Sequence, residues 1–165
     1  MKKILTVLLC GVLCLTALCG CRADKTETVN PISESTLEEL AAELGCTLLL
    51  DKVELSAPQV LRYNTEPVLY QLSFLAADGC SYTLRLQKNA PEADISGMHY
   101  TWTQSAEYTD PACSILLNGE GQGICLWQAG DIRFSLAVQE NAEERALRSL
   151  QKTLYAAARL PEPEQ

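Results

Sequence analysis

A single histidine, His99, and the absence of any Cys-x-x-Cys or His-x-x-x-His spacing leave this 165-residue sequence without the usual means of holding a transition metal. No Gly-x-Ser-x-Gly elbow is present, and His99 falls on the polar side of an alternating segment, so it reads as a surface histidine rather than a catalytic base. No catalytic residue, cofactor or metal is expected. Positive charge is also scarce: 13 Lys and Arg stand against 21 Asp and Glu. Nucleic acid and anionic lipid surfaces would repel such a chain, and its acidity reads as a solubility feature rather than as a sign of a cationic ligand.

What is present begins with the leader. Lys2 and Lys3 precede an apolar run from Ile4 to Leu18, about 15 residues, shorter than the roughly 20 a spanning helix needs. It ends in Leu18-Cys19-Gly20-Cys21, which resembles the bacterial lipobox: an aliphatic residue, two small residues, then the acylated cysteine. Cys19 lacks that context because Leu18 directly precedes it. The resemblance implies a signal peptide over 1–20 and a lipidated Cys21 as first mature residue, bearing palmitate-type acyl chains; plain secretion is the alternative. Each buried CH₂ contributes about 0.8 kcal/mol, so two or more chains would make a stable membrane anchor. With Lys2 and Lys3 removed, 11 basic residues face all 21 acids, a formal charge of −10.

The mature chain suits one domain. Residues 21–34 comprise the lipidated cysteine and a polar segment with Pro31 and no hydrophobic period, read as a flexible tether reaching about 45 Å when extended. Residues 35–160 form the domain, and 161–165 a disordered tail. Ser35-Thr36-Leu37-Glu38 resembles a capping box opening a short helix with Leu37, Leu40, Ala41 and Leu44 on one face and Gly45 as its stop. From Val60 the period changes to two, through Val68, Tyr70, Leu72, Phe74 and Ala76, then Tyr82, Leu84 and Leu86. A three-residue loop, Ala77-Asp78-Gly79, sets Phe74 opposite Tyr82 and Leu72 opposite Leu84 and keeps the apolar face continuous.

Met98, Tyr100 and Trp102 alternate with His99, Thr101 and Thr103 and predict a further strand. Strands follow at 114–117 and 124–128, the latter apolar on both faces and therefore interior to the sheet. The last strand carries Ile132, Phe134, Leu136 and Val138; a Gly130-Asp131 turn puts Trp127 opposite Phe134 and Cys125 opposite Leu136. A final helix is expected from Asn141 to Arg159, with Leu147, Leu150 and Leu154 buried, a Glu144–Arg148 pair on the solvated side and a basic last turn. The fold class is α+β: an antiparallel meander of about six or seven strands, a short N-terminal helix, and a C-terminal helix packed on one face.

Chemistry is sparse on this scaffold. Gly119-Glu120-Gly121-Gln122-Gly123 precedes a strand, not a helix, and reads as a hairpin loop rather than a phosphate cradle. Glu92 with Asp94, and Glu107 with Asp110, are loop carboxylates without a calcium-loop pattern. Tyr70, Tyr82, Tyr100, Trp102, Trp127 and Phe134 fall mostly on the core face, where packing accounts for them. Four cysteines remain after Cys21 is set aside: Cys46, Cys80, Cys113 and Cys125. Cys113 and Cys125 sit on successive strands: directly opposite with Asn118-Gly119-Glu120 as loop, diagonal with Gly119-Glu120-Gly121, which has the better turn chemistry. A Cys46–Cys80 bridge follows only by elimination, and free thiols packed as small hydrophobes are the alternative throughout.

Asn30-Pro31, the helix from Ser35 to Gly45, Asp94-Ile95-Ser96-Gly97-Met98-His99-Tyr100 and Leu126-Trp127-Gln128-Ala129-Gly130-Asp131 together resemble the small extracytoplasmic lipoproteins of Firmicutes that carry an uncharacterised α+β domain. The resemblance implies a sheet domain, lipid-anchored or attached to anti-sigma-type membrane proteins, on the outer face of a Gram-positive cell membrane, and it carries no catalytic residues. Cys46, Cys113 and Cys125 depart from it. The expected role is a non-catalytic interaction or structural module of the cell envelope with a protein partner. The alternatives are a small-molecule or lipid-binding module, with a pocket between sheet and helix lined by Ile124 and Leu126, and an enzyme using loop carboxylates.

Overall fold

Eight strands form one antiparallel sheet in the computed structural model, which describes residues 31–92 and 94–160. They are β1 (Ile32–Glu34), β3 (Gln59–Tyr63), β4 (Leu69–Leu75), β5 (Ser81–Lys88), β6 (Gln104–Thr109), β7 (Ala112–Leu117), β8 (Gly123–Ala129) and β9 (Ile132–Val138). A two-stranded ribbon pairs β2 (Thr47–Leu48) with β10 (Ala158–Arg159), and the helices are α1 (Leu37–Leu44) and α2 (Glu144–Ala157). The α+β antiparallel architecture is as expected. The spatial order is β1-β3-β4-β5-β9-β8-β7-β6, so two meanders, β3 to β5 and β6 to β9, share the sheet and meet where β5 pairs with β9.

The period-two pattern fixes the registers. Phe74 faces Tyr82 and Leu72 faces Leu84 across the loop at 77–79, where Gly79 takes a φ of 81°. Trp127 faces Phe134 and Cys125 faces Leu136, and β8 lies between β7 and β9, away from either edge. The inward face carries Tyr70, Leu72, Leu84, Leu86, Phe134 and Leu136, all essentially inaccessible, under a lid of Leu40 and Leu44 from α1 and Leu147 and Leu154 from α2. Each such side chain contributes about 2 kcal/mol by leaving water.

Several boundaries differ from expectation. Ile32–Glu34 pairs with Leu61–Tyr63, so the folded chain starts inside the segment 21–34 assigned to the tether; three residues are too few to reveal a period. The capping box of α1 is displaced by one residue: Thr36 Oγ1 accepts from Glu39 N at 3.2 Å, and Glu39 Oε2 accepts from Thr36 N at 3.3 Å. Ser35 Oγ instead donates to Glu39 Oε2 at 2.6 Å. Gly45, in the left-handed region with a φ of 71°, ends the helix as expected. Helix α2 begins at Glu144 without a side-chain cap. Asn141 bends the chain at a φ of 55°, and Ala142 N then donates to Gly121 O at 2.8 Å. Its last turn holds no basic residue, because Arg159 belongs to β10.

Met98–Thr103 is not a strand. Met98 is buried against Ile124 and Ala137, with Trp102, Leu116 and Leu126 around them, so this segment crosses the back of the sheet as a strap. Tyr100 is exposed. The strap is shaped by short bonds: Ser96 N donates to Asp94 Oδ1 at 2.7 Å, and Met98 N donates to Ser96 Oγ at 3.0 Å. Gly97 suits this turn, since its φ is 68° and a Cβ there would push the Arg85 guanidinium aside. The strap therefore fills the space where a ligand pocket over Ile124 and Leu126 was expected, and Ile124 is wholly inaccessible.

Candidate functional site

Beneath α2 lies a buried polar cluster that includes two of the cysteines. Register places Ile115 opposite Cys125 and Ser114 opposite Leu126, so Cys113 and Cys125 are diagonal neighbours on the inward face, with Gly119-Glu120-Gly121 as the loop. Cys46, Cys80, Cys113 and Cys125 are all free thiols. Arg148 reaches in from α2: its Nη1 donates to Pro111 O at 2.8 Å, Gln151 Oε1 at 2.7 Å and Cys113 Sγ at 3.1 Å, and its Nη2 donates to Asp110 O at 2.5 Å. The guanidinium stacks 4.4 Å from the centre of the Tyr108 ring, while Tyr108 Oη donates to Glu144. Arg148 is thus buried rather than paired with Glu144 on a solvated face. Helical geometry explains it: residues 147, 148, 151 and 154 share one face, and Leu150 lies at its margin.

The cluster ties α2 to β7 and the turn before it. Burial, followed by the Cys113 sulfur beside it, pushes the Cys125 thiol above its ordinary range, and burial pushes Cys46 up to about 11. The Cys80 thiol is raised as well, by burial and then by Asp78. Protonated thiols of this kind are weak nucleophiles. Three donors, Trp127 Nε1, Arg148 Nε and Gln151 Nε2, have no hydrogen-bond partner among the described residues. Leaving a buried N–H unpaired is a cost of packing polar residues under a helix.

A second cluster joins α1 to the sheet. Glu43 accepts two bonds from the Arg62 fork, Nε to Oε2 at 2.7 Å and Nη2 to Oε1 at 2.8 Å, and a third from Tyr70 Oη at 2.6 Å. Its pKa falls to about 2, chiefly through the Arg62 hydrogen bonds, which outweigh the opposing effect of burial, with Tyr70 adding to them. Because the folded pKa lies below the ordinary value of 4.5, the contribution to stability is present above that value and is lost as pH falls toward 2. Glu43 is exposed, so solvent screening reduces the contribution to about 1 kcal/mol. Glu43→Gln should therefore cost about that much in urea titrations at pH 7 and nothing near pH 2; a difference independent of pH would reject the ion pair as its source.

On the back face Arg85 donates from Nε to Gln71 Oε1 at 2.9 Å and from Nη1 to Ile95 O at 3.3 Å, which pins the strap, and it lies 5.8 Å from the Tyr63 ring centre. Glu92, Asp94 and His99 rim the cleft of about 250 Å³ beside it. His99 is exposed, as a surface histidine should be, and Asp94 is spent on the Ser96 turn. Glu107, assigned to a loop, lies on β6 and accepts from Ser114 Oγ at 2.7 Å. Among the described residues no group of His, Cys, Asp and Glu could hold a metal ion. An apolar cleft of about 320 Å³ lies between Leu49, Val53, Ala156 and Ala157, with Arg159 at its side.

The surface that sequence reasoning missed is the sheet's free edge. β6 pairs with β7 alone, and among the described residues no other backbone group bonds to its outer side. The opposite edge is the three-residue β1, where the chain enters from residue 31. Seven interstrand spacings separate the two edges, about 34 Å. The residues 1–30, including Cys21 and its leader, and 161–165, with the expected tail, lie outside the described residues. No helix among the described residues is long and apolar enough to cross a membrane. The sequence matches no protein-family model and no curated protein, and the fold matches no solved structure.

Proposed function

We propose that this chain is an envelope lipoprotein, acylated at Cys21 and held on the outer face of the cytoplasmic membrane of a Gram-positive cell, whose domain is a non-catalytic interaction module. The lipobox Leu18-Cys19-Gly20-Cys21 after a short apolar leader carries this reading. The fold supports it with an available surface: the described chain begins beside β1 at one edge of the sheet, and the open edge β6 lies at the other. The resemblance to uncharacterised Firmicutes lipoproteins belongs to the same proposal. A small-molecule or lipid-binding role is the second reading, favoured by the apolar cleft between Leu49, Val53, Ala156 and Ala157, a different place from the one sequence suggested.

The test is crosslinking in cells of the tagged lipoprotein, with mass spectrometry of what is retained and Cys21→Ala as control. A defined protein partner that depends on Cys21 is the expected result. Retention of nothing above background would reject the interaction module. Unchanged membrane attachment of Cys21→Ala would reject the anchor.

A further inference from the structure

We infer that the outer side of β6 takes up an extended, cationic segment of the partner protein as a ninth strand; the inference rests on the interaction-module reading and specifies its surface and ligand. Strand edges present a row of unpaired N–H and C=O groups, and proteins ordinarily blunt them with lysine, proline or brevity. The opposite edge of this sheet is blunted by brevity, since β1 is three residues long. β6 runs for six residues, Gln-Ser-Ala-Glu-Tyr-Thr, with neither lysine nor proline in it. Such an edge binds main chain to main chain, with specificity set by the side chains standing on either face.

Carboxylates flank the edge on both faces, Glu107 from β6 itself and Glu144 from α2. Alternation puts Ala106 and Tyr108 on the helix side and Ser105 and Glu107 on the back. On the back, Glu107 is exposed and steadied by Ser114 Oγ at 2.7 Å. On the helix side, Tyr108 Oη holds the exposed Glu144 over the strand, with Glu143 next to it. Asp110 closes the end of β6, exposed, with its carbonyl taken by Arg148. On α2, Arg148 is buried and both its terminal nitrogens bond inside the domain, while Arg145, beside Glu144 in sequence, is exposed. An incoming strand places consecutive residues on opposite faces, so a Lys or Arg pair at adjacent positions would meet Glu107 on one face and Glu144 on the other. A second copy of this chain is disfavoured as occupant, because two β6 edges carry like charge and the antiparallel register centred on Glu107 sets the two Glu107 residues directly opposite.

Binding is measured with the lipidated full protein in detergent, using a fluorescent Thr/Val-rich peptide of about seven residues with a central Lys-Arg pair, long enough to span the six residues of β6. Saturable binding, at least tenfold weaker for Glu107→Lys and for the peptide with N-methylated backbone amides, is the expected result. Equal binding of the N-methylated peptide, or of a Glu-Asp analogue, would overturn strand addition or its charge preference, and so would no binding at all. Concentration-dependent self-association abolished by Glu107→Lys would assign the edge to a second copy instead. In cells, a photo-crosslinker at Ser105 should capture the partner through a segment of this chemistry. A partner captured only from other positions defeats this inference while leaving the interaction module intact; no partner from any position defeats the module itself.

Discussion

Arg148→Ala should destabilise the domain by about 3 kcal/mol, a large share of the stability of a domain this size. The substitution strands the carbonyl oxygens of Asp110 and Pro111 and the side-chain oxygen of Gln151, all of which accept from the guanidinium, and removes its stack on Tyr108. Each lost acceptor bond costs about 1 kcal/mol, and the turn carbonyls recover part of that from water. Opposing these losses, the variant no longer buries a cation that has no carboxylate in contact among the described residues. Three bonds to oxygen, a fourth to the Cys113 sulfur, a ring contact and a buried aliphatic stem outweigh that relief. Arg148→Met keeps most of the stem and should lose less, about 2 kcal/mol. Urea unfolding at pH 7 measures both, and the labelling rate of the Cys113 thiol should rise in Arg148→Ala as the contact between α2 and β7 loosens. Wild-type stability in the alanine variant would show that the cost of burying the charge cancels every bond it makes.

Phe134→Ala should cost more, about 4 kcal/mol. Phe134 is 1% exposed on β9, with neighbours on both β5 and β8, and its ring lies 5.1 Å from that of Trp127 at an interplanar angle of 6°. Strands hydrogen-bonded on both sides cannot collapse into the space a phenyl ring leaves, so the cavity term adds to the lost transfer energy. Phe134→Leu, which refills most of the volume, should recover at least half of the loss. An unchanged urea slope with a lower midpoint would place the effect in the native core; equal stability of the Ala and Leu variants would mean that the site relaxes freely.

These two residues mark the boundary of what was readable in the sequence. Phe134 and its register with Trp127 follow from strict alternation and a Gly-Asp turn, because a slip by one residue would expose a whole apolar face. The diagonal placement of Cys113 and Cys125 follows from turn chemistry alone. Arg148 was hidden by a pairing rule: Glu144 four residues earlier suggests a solvated ion pair, and only the shared face of Leu147, Arg148, Gln151 and Leu154 pointed inward. Met98, Tyr100 and Trp102 alternate like a strand, yet they lie across the sheet instead of along it, and alternation cannot distinguish the two. β6 was overlooked because Ala106 and Tyr108 are its only half-buried residues, a weak signal for a strand covered on one side. As to function, an edge is a property of strand order, which no local pattern contains.

The meeting of the two meanders at β5 and β9 also sets the timetable of assembly. β3 to β5 is complete once Lys88 has been made, but its inner border stays bare until Ile132–Val138 arrives to cover it. β6, β7 and β8 come first, and they belong on the far side of a strand not yet present. Joining the halves must close the long loop from Lys88 to Ile132, an entropy debt that neither hairpin group incurs alone. Of all the pairings in the sheet, this seam is the one for which a half-made chain has to wait.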